Sequence, residues 1–463
     1  MSAEDLTRRV SETGGAVETG AISAEMYEGF KSDFRSVPHR RALMNAVRKS
    51  GIQAAAWNQD AMARMTYTFS HEVETGEITS QKQSGRCWMF AGLNTLRVHT
   101  MRQLHLKTFE FSQAYLMFWD KLEKANYFLE NILETLDEET GSRVVAWLLS
   151  APLQDGGQWD MFVNLVKKYG VVPKSVMPET FHSSSSAMMN RLLTLKLRED
   201  AAALRRRYRE GASPAELRDE KRAMLNEIHR MLCIFLGEPP ERFDFEYRDQ
   251  DNRFHRDAGL TPHQFLERYV PVDLDAYVSV IHAPTADKPF GRTYTVKYLG
   301  NVKGGRDVLY VNVEIETLKQ AALRQLMDGE PVWFGCDVGK MYDRDTGILD
   351  TSLYDYAAAL DVDFRLSKGD RLDYGESLMT HAMVFTGVNV VDGRPNRWKV
   401  ENSWGEEPGN KGYFVMSDAW FDEFLYQVVV RKTHLPEKVR AALTEAPTVL
   451  PPWDPMGSLA CMR

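Results

Sequence analysis

The stretch Gln81-Lys-Gln-Ser-Gly-Arg-Cys87-Trp-Met-Phe-Ala-Gly-Leu-Asn94 constrains the fold more than any other part of this chain. A short loop containing Gly85 carries an amide side chain and delivers a cysteine to what reads as the first turn of a helix. Met89, Leu93, Leu96 and Leu104 then fall on one face at 3.6-residue spacing. A helix start of this kind suits a nucleophile: its unpaired N–H groups and positive dipole end favour a thiolate, and a neighbouring imidazolium favours it more. With both, a thiol pKa falls to roughly 3–4. Taken alone, Cys87 reads equally well as a buried structural thiol, because free cysteine behaves as a small hydrophobe.

Two downstream segments supply the company a nucleophile needs. Thr380-His381-Ala-Met-Val-Phe-Thr-Gly-Val388 sets a histidine at the start of an apolar strand, and Val400-Glu-Asn402-Ser-Trp404-Gly-Glu406 sets an asparagine after the next one. The turn formers Asp392-Gly393-Arg-Pro-Asn396 between them predict an antiparallel hairpin with His381 and Asn402 close together near its open end. Alone, His381 is a satisfied core histidine and Asn402 a turn-ending amide. Beside Cys87 they become a base and the group that orients it.

These residues resemble the papain-like cysteine peptidases, in which a Gln six positions before the nucleophile, a Cys-Trp pair opening a long helix, a His on a later strand and Asn-Ser-Trp-Gly recur. Here these are Gln81, Cys87-Trp88, His381 and Asn402-Ser-Trp404-Gly405. Further motifs resemble the bleomycin hydrolase and aminopeptidase C branch: Phe111-Ser-Gln-Ala-Tyr115, Phe118-Trp-Asp-Lys-Leu122, Asp155-Gly-Gly-Gln-Trp-Asp160, Tyr169-Gly-Val-Val-Pro173, Pro331-Val-Trp-Phe-Gly-Cys-Asp-Val-Gly339 and Trp453-Asp-Pro-Met-Gly457. They run from about Arg64 to the C-terminus.

The resemblance implies a papain-like α+β fold of two lobes with a helical and β-hairpin insertion. It implies Cys87 as nucleophile, His381 as base, Asn402 as the acceptor that fixes the imidazole, and Gln81 as an oxyanion donor beside the Cys87 N–H. Gly156 and Gly157 would hydrogen-bond an extended substrate, although Gly-Gly alone is ordinary turn punctuation. Trp404 would shield the His381–Asn402 contact from water, and a core tryptophan explains it nearly as well.

Branch members form hexameric barrels and act chiefly as aminopeptidases, the terminal carboxylate lying in the cleft to meet a peptide's free amino group. That assigns substrate contacts to Ala460 and Arg463 at the chain end. Family members stop near the position of Ala460, whereas this chain continues through Cys461-Met462-Arg463. The overhang is expected to be trimmed by the enzyme itself, the alternative being that it curls away.

Taken in order, residues 1–60 read as an N-terminal arm and helix, with the first 20 a mobile arm and Ser23 capping a helix through Phe34. Residues 61–180 form the helical lobe with the nucleophile. Beyond Cys87, Ser112 caps a helix whose Leu116, Trp119, Leu122 and Tyr127 read as core. Residues 181–320 form an inserted helical and hairpin region for oligomerisation, where Ser213, Pro214 and Glu216 spell a capping box. Residues 321–435 form the β-rich lobe with His381 and Asn402, and 436–463 the tail.

With 43% hydrophobic and 26% charged residues the chain has an ordinary globular composition. Its net charge of −8 argues against nucleic-acid binding. No apolar run spans a bilayer, and the opening residues lack the apolar core of a signal peptide, so no membrane partner is expected and the cytoplasm is the expected location. Four cysteines, Cys87, Cys233, Cys336 and Cys461, are too scattered for a zinc site and too few for a disulfide scaffold. Ser84 stands where secreted papain relatives carry a disulfide cysteine. No cofactor or metal is expected. The function expected is a cytosolic cysteine aminopeptidase acting on peptides as a homohexamer, with two rivals: an endopeptidase of the same chemistry, and a non-catalytic nucleic-acid-binding protein.

Overall fold

Ser23 Oγ accepts the Met26 N–H at 3.1 Å and opens α1 (Ala24–Ser36), so the predicted cap and helix start coincide. The computed structural model describes residues 20–460. The arm expected over the first 20 residues lies, but for Gly20, outside the described residues, as do Cys461, Met462 and Arg463. Two compact units divide the chain. The smaller comprises residues up to Asn58 together with Tyr354–Phe364. Its α1 is followed by α2 (Pro38–Ser50), and Arg40 pairs with Asp33 at 3.0 Å and Asp361 at 2.5 Å. The apolar stripe of α1, Met26, Phe30 and Phe34, is exposed.

The larger unit carries everything discussed below. Its helix α3 (Cys87–Leu104) departs from the one-faced pattern expected, because it is buried on every side: only His99, Arg102 and Gln103 lie outside its buried set. A helix that threads the middle of a unit has no solvent face to keep polar. Ser112 caps α4 (Gln113–Glu134) as expected, its Oγ accepting the Tyr115 N–H at 3.0 Å. This helix buries Leu116 and Phe118, but it also buries Asp120, Lys121, Glu123 and Lys124. After α5 (Trp159–Tyr169) comes a helical hairpin, α6 (Ala187–Arg209) and α7 (Pro214–Leu236). Its second helix opens on the predicted capping box, with Ser213 N–H donating to Glu216 Oε2 at 2.7 Å. A two-stranded antiparallel sheet, Phe243–Arg248 with Phe254–Leu260, follows it.

The main sheet is built on six strands: β1 (Tyr277–Ile281), β2 (Val332–Cys336), β3 (His381–Val391), β4 (Arg394–Glu401), β5 (Tyr413–Ser417) and β6 (Leu425–Arg431). In space they run β1-β6-β2-β3-β4-β5, each pair antiparallel. Alternate residues serve opposite faces, as the pleat requires. Trp333, Ala382 and Val384 join the cluster around α3 and α4, while Phe334, Met383 and Phe385 join a second cluster with Leu318, Ala322 and Leu326. Those last three residues belong to α8 (Ile315–Met327), which covers the second face.

Asp392 and Gly393 close the β3–β4 hairpin as a two-residue turn with φ of 51° and 77°, the left-handed pair that such turns need. The turn is shorter than the Asp392–Asn396 cluster expected from sequence. Pro395 is already in β4, opposite Val390 and beside a register shift, where a missing N–H is tolerated. Residues 277–312, grouped by sequence with the insertion, contribute strands to the main sheet: β1, Arg292–Val296 and Tyr310–Asn312. Among the described residues no helix is long and apolar enough to cross a membrane, and no group of three or more His, Cys, Asp or Glu could hold a metal ion.

Candidate active site

Cys87 is the first residue of α3, and no side chain caps that helix end. His381 is the first residue of β3, paired in register with Cys336 of β2. The Ala382 N–H, next to His381, acts on the Cys87 thiol, opposing the rise that burial causes. His381 Nε2 lies 2.9 Å from Asn402 Oδ1, just beyond the end of β4, and the same oxygen accepts the Ser403 N–H at 2.8 Å. With Nε2–H donating to Asn402, the neutral ring carries its lone pair on Nδ1. The Trp404 ring stands 4.9 Å from the imidazole, tilted by 35°.

Three further hydrogen bonds hold this constellation to α3. Glu401, beside Asn402, accepts from Asn94 Nδ2 at 2.7 Å and Arg97 Nη2 at 2.8 Å. Trp333 Nε1 of β2 donates to the Trp88 carbonyl at 3.0 Å.

Both reactive groups are closed off, Cys87 being 1% exposed and His381 5%. Burial pushes the thiol up to about 11, against the pull of the Ala382, Trp88 and Cys87 N–H groups. Burial likewise pushes the imidazole down to about 4, the Asn402 hydrogen bond opposing it. The lowered thiol pKa expected from sequence counted a helix end and an imidazolium but not this desolvation. Each shift is the cost of charging one group alone.

Gln81 is buried, its Oε1 accepting from Ser403 Oγ at 2.7 Å and its Nε2 donating to the Ser84 carbonyl at 2.6 Å. An amide nitrogen has two hydrogens, and Ser84 takes one. Gly156 and Gly157 have close neighbours that exclude a side chain. A Cβ at Gly157 would lie 2.4 Å from the Trp88 indole, and one at Gly156 would lie 2.2 Å from the Leu459 carbonyl oxygen.

The neighbour of Gly156 is thus the chain's own tail. Tyr310 OH donates to the Met456 carbonyl at 3.0 Å and Ser458 Oγ to the Met379 carbonyl at 2.9 Å, so the tail lies along the segment leading into His381. Leu459 and Ala460 are buried there. Arg463 lies outside the described residues.

Several residues near the site were not singled out from sequence. Asp155 accepts the Gly85 N–H at 2.8 Å, Arg86 makes a two-point ion pair with Glu179 at 3.0 and 2.8 Å, and Lys124 donates to the Gly156 carbonyl at 2.5 Å. Asp155 and Lys121 both fall inside motifs already quoted. Neither carried a local signal of its own, because each sits among polar or glycine neighbours, Asp120-Lys121-Leu-Glu123-Lys124 and Gln154-Asp155-Gly-Gly-Gln158.

The model of the Peptidase C1-like family matches residues 21–457. The chain is 52% identical to Aminopeptidase C of Listeria monocytogenes over 95% of this chain and 99% of that protein. It is 45% identical to Aminopeptidase G of Lactobacillus delbrueckii subsp. lactis, over 92% of this chain and 97% of that protein. The crystal structure of PepW from Lactobacillus rhamnosis HN001 matches with a TM-score of 0.93 and 55% identity, over 94% of this chain and 99% of that one.

Proposed function

The chain belongs to the Peptidase C1-like family, and from that premise we propose that it is a cysteine aminopeptidase of the bleomycin hydrolase type, removing amino-terminal residues from peptides in the cytoplasm. The observation that carries this reading is the 2.9 Å contact of His381 Nε2 with Asn402 Oδ1, beside a cysteine that opens a buried helix. Cys87 gives its proton to His381 Nδ1, and the thiolate attacks the carbonyl carbon of the first peptide bond. The resulting oxyanion accepts from Gln81 Nε2 and the Cys87 N–H. Collapse expels the amine, protonated by His381, and leaves a thioester on Cys87. His381 then takes a proton from water, which hydrolyses the thioester. Asn402 keeps the ring oriented without adding a charge.

The tail supports exopeptidase action, because Leu459 and Ala460 fill the groove beside Gly156 where a longer substrate would extend. Its carboxylate would meet the substrate ammonium, an attraction of about 1 kcal/mol at ~4 Å in water and several times that in a partly desolvated cleft. A panel of aminoacyl and amino-blocked peptide substrates tests the reading. Turnover restricted to free amino groups is expected; equal turnover of blocked peptides would make the protein an endopeptidase. Deleting the tail from Gly457 onward is expected to shift kcat/KM toward blocked peptides by about tenfold or more, the size of a lost partly desolvated charge contact. No shift would mean that the tail does not set the register.

Assembly as a homohexamer is part of the same proposal, supported by the exposed apolar residues Phe181, Met188, Leu195 and Ile234 on and beside the α6–α7 hairpin. Light scattering should give about six times the chain mass of 53.0 kDa. A stable monomer at micromolar concentration would contradict it. The free thiols Cys87, Cys233 and Cys336 suit a reducing compartment.

A further inference from the structure

One buried carboxylate ties three separate parts of the chain to the loop that delivers Cys87. Asp155 Oδ2 accepts the Gly85 N–H at 2.8 Å and the Ser186 hydroxyl at 2.5 Å. Its Oδ1 accepts from Lys121 Nζ at 2.5 Å and Asn190 Nδ2 at 2.8 Å. Its backbone carbonyl accepts from Trp88 Nε1 at 2.7 Å, and the next residue is Gly156, against which the tail packs. Burial alone would raise this carboxyl, but the Lys121 charge and the hydrogen bonds from Lys121, Ser186 and Gly85 hold it well below the usual range.

The segment leading into α6 grips the same loop from another side. Gln83 N–H donates to the Ser184 carbonyl at 2.9 Å, and Ser186 N–H returns a bond to the Gln83 carbonyl at 3.3 Å. Arg86 is held by Glu179, and Glu179 Oε2 also accepts from Ser183 Oγ at 2.6 Å. The loop is therefore tied on two sides, to Asp155 and to the segment 179–186.

We propose that Asp155 is a positioning residue for the aminopeptidase reaction. Its carboxylate sets the Gln81–Cys87 loop in register with the segment of Gly156, and so aims the Gln81 and Cys87 donors at the reacting carbonyl. The inference rests on the proposed function. Gly85 is two residues from Cys87, and a misplacement of about 1 Å at a reacting centre costs about 100-fold in rate. The side-chain chemistry is specific, because a carboxylate only accepts and here meets four donors. An amide at this position would turn one edge of donors against donors and leave the buried Lys121 without its counter-charge.

Two double variants separate positioning from packing. Lys121→Met with Asp155→Asn removes the stranded charge and keeps an oxygen for Gly85. Lys121→Met with Asp155→Leu removes the charge and the acceptor together. The leucine variant should melt lower, because Gly85, Ser186 and Asn190 lose their acceptor, so kcat is compared on fully folded protein. There, kcat on an aminoacyl substrate falls about 100-fold only in the leucine variant, with KM changed far less. Equal kcat in the two, or a loss confined to KM, would overturn the inference. If either double fails to fold, Ser186→Ala decides. A severalfold lower kcat at an unchanged melting temperature supports the proposal, and an unchanged kcat refutes it. A wild type inactive on every aminoacyl substrate sinks the proposed function itself; an active wild type with equal doubles sinks only the role of Asp155.

Discussion

Cys87→Ala is expected to abolish turnover, by as much as about a millionfold, because the proposed thioester forms on the sulfur it removes. The loss should come without unfolding. Cys87 is 1% exposed, and alanine keeps its Cβ and removes only the sulfur from the start of α3. Iodoacetamide at neutral pH should modify Cys87 in the wild type before Cys336 or Cys233. Cys336 is fully buried and its thiol is pushed well above its ordinary value by burial, while the thiol of Cys233 is also raised by burial. The proposed Cys87–His381 pair has to outpace Cys233, whose sulfur has the His229 ring nitrogens 3.8 Å away. Intact mass should show the wild type losing one to three C-terminal residues and Cys87→Ala retaining Arg463. Full activity in Cys87→Ala would end the account.

Gln81→Ala should lower kcat by roughly 10²–10³, the usual loss for one oxyanion donor. The same substitution strips partners from the Ser84 carbonyl and the Ser403 hydroxyl, each unpaired buried group costing about 1–3 kcal/mol of stability. Activity must therefore be referred to the folded fraction. Gln81→Glu gives a second arm, since it keeps an acceptor for Ser403 and has no N–H to donate. It also sets an oxygen against the Ser84 carbonyl, so its folded fraction is measured in the same way. Both variants should show a depressed kcat at full folding with modest change in KM. A kcat loss accounted for by lost folded protein would make Gln81 a structural residue.

Local signals carried much of the fold to the page. The caps at Ser23, Ser112 and Ser213 and the Asp392-Gly393 turn are each read from a few neighbouring residues, because their hydrogen bonds close within three or four positions. The proximity of His381 and Asn402 followed from one hairpin. What stayed hidden depends on contacts distant in sequence. Asp155 meets Gly85 across 70 positions, and Arg97 meets Glu401 across 304. The burial of α3 on every side, and with it the raised Cys87 thiol, is set by the sheet and helices around it rather than by the spacing of its own leucines. Strands in residues 277–312 likewise join the main sheet through partners far along the chain.

The most direct test of the account is to trap the acyl-enzyme. Rapid acid quench of the wild type with a slowly hydrolysed aminoacyl ester, followed by intact-mass measurement and peptide mapping, should show one added acyl group located on Cys87. The adduct should be absent in Cys87→Ala and with the amino-blocked ester. Turnover without any adduct, or an acyl group mapped to Cys233 or Cys336, would contradict the assignment of Cys87 as the nucleophile.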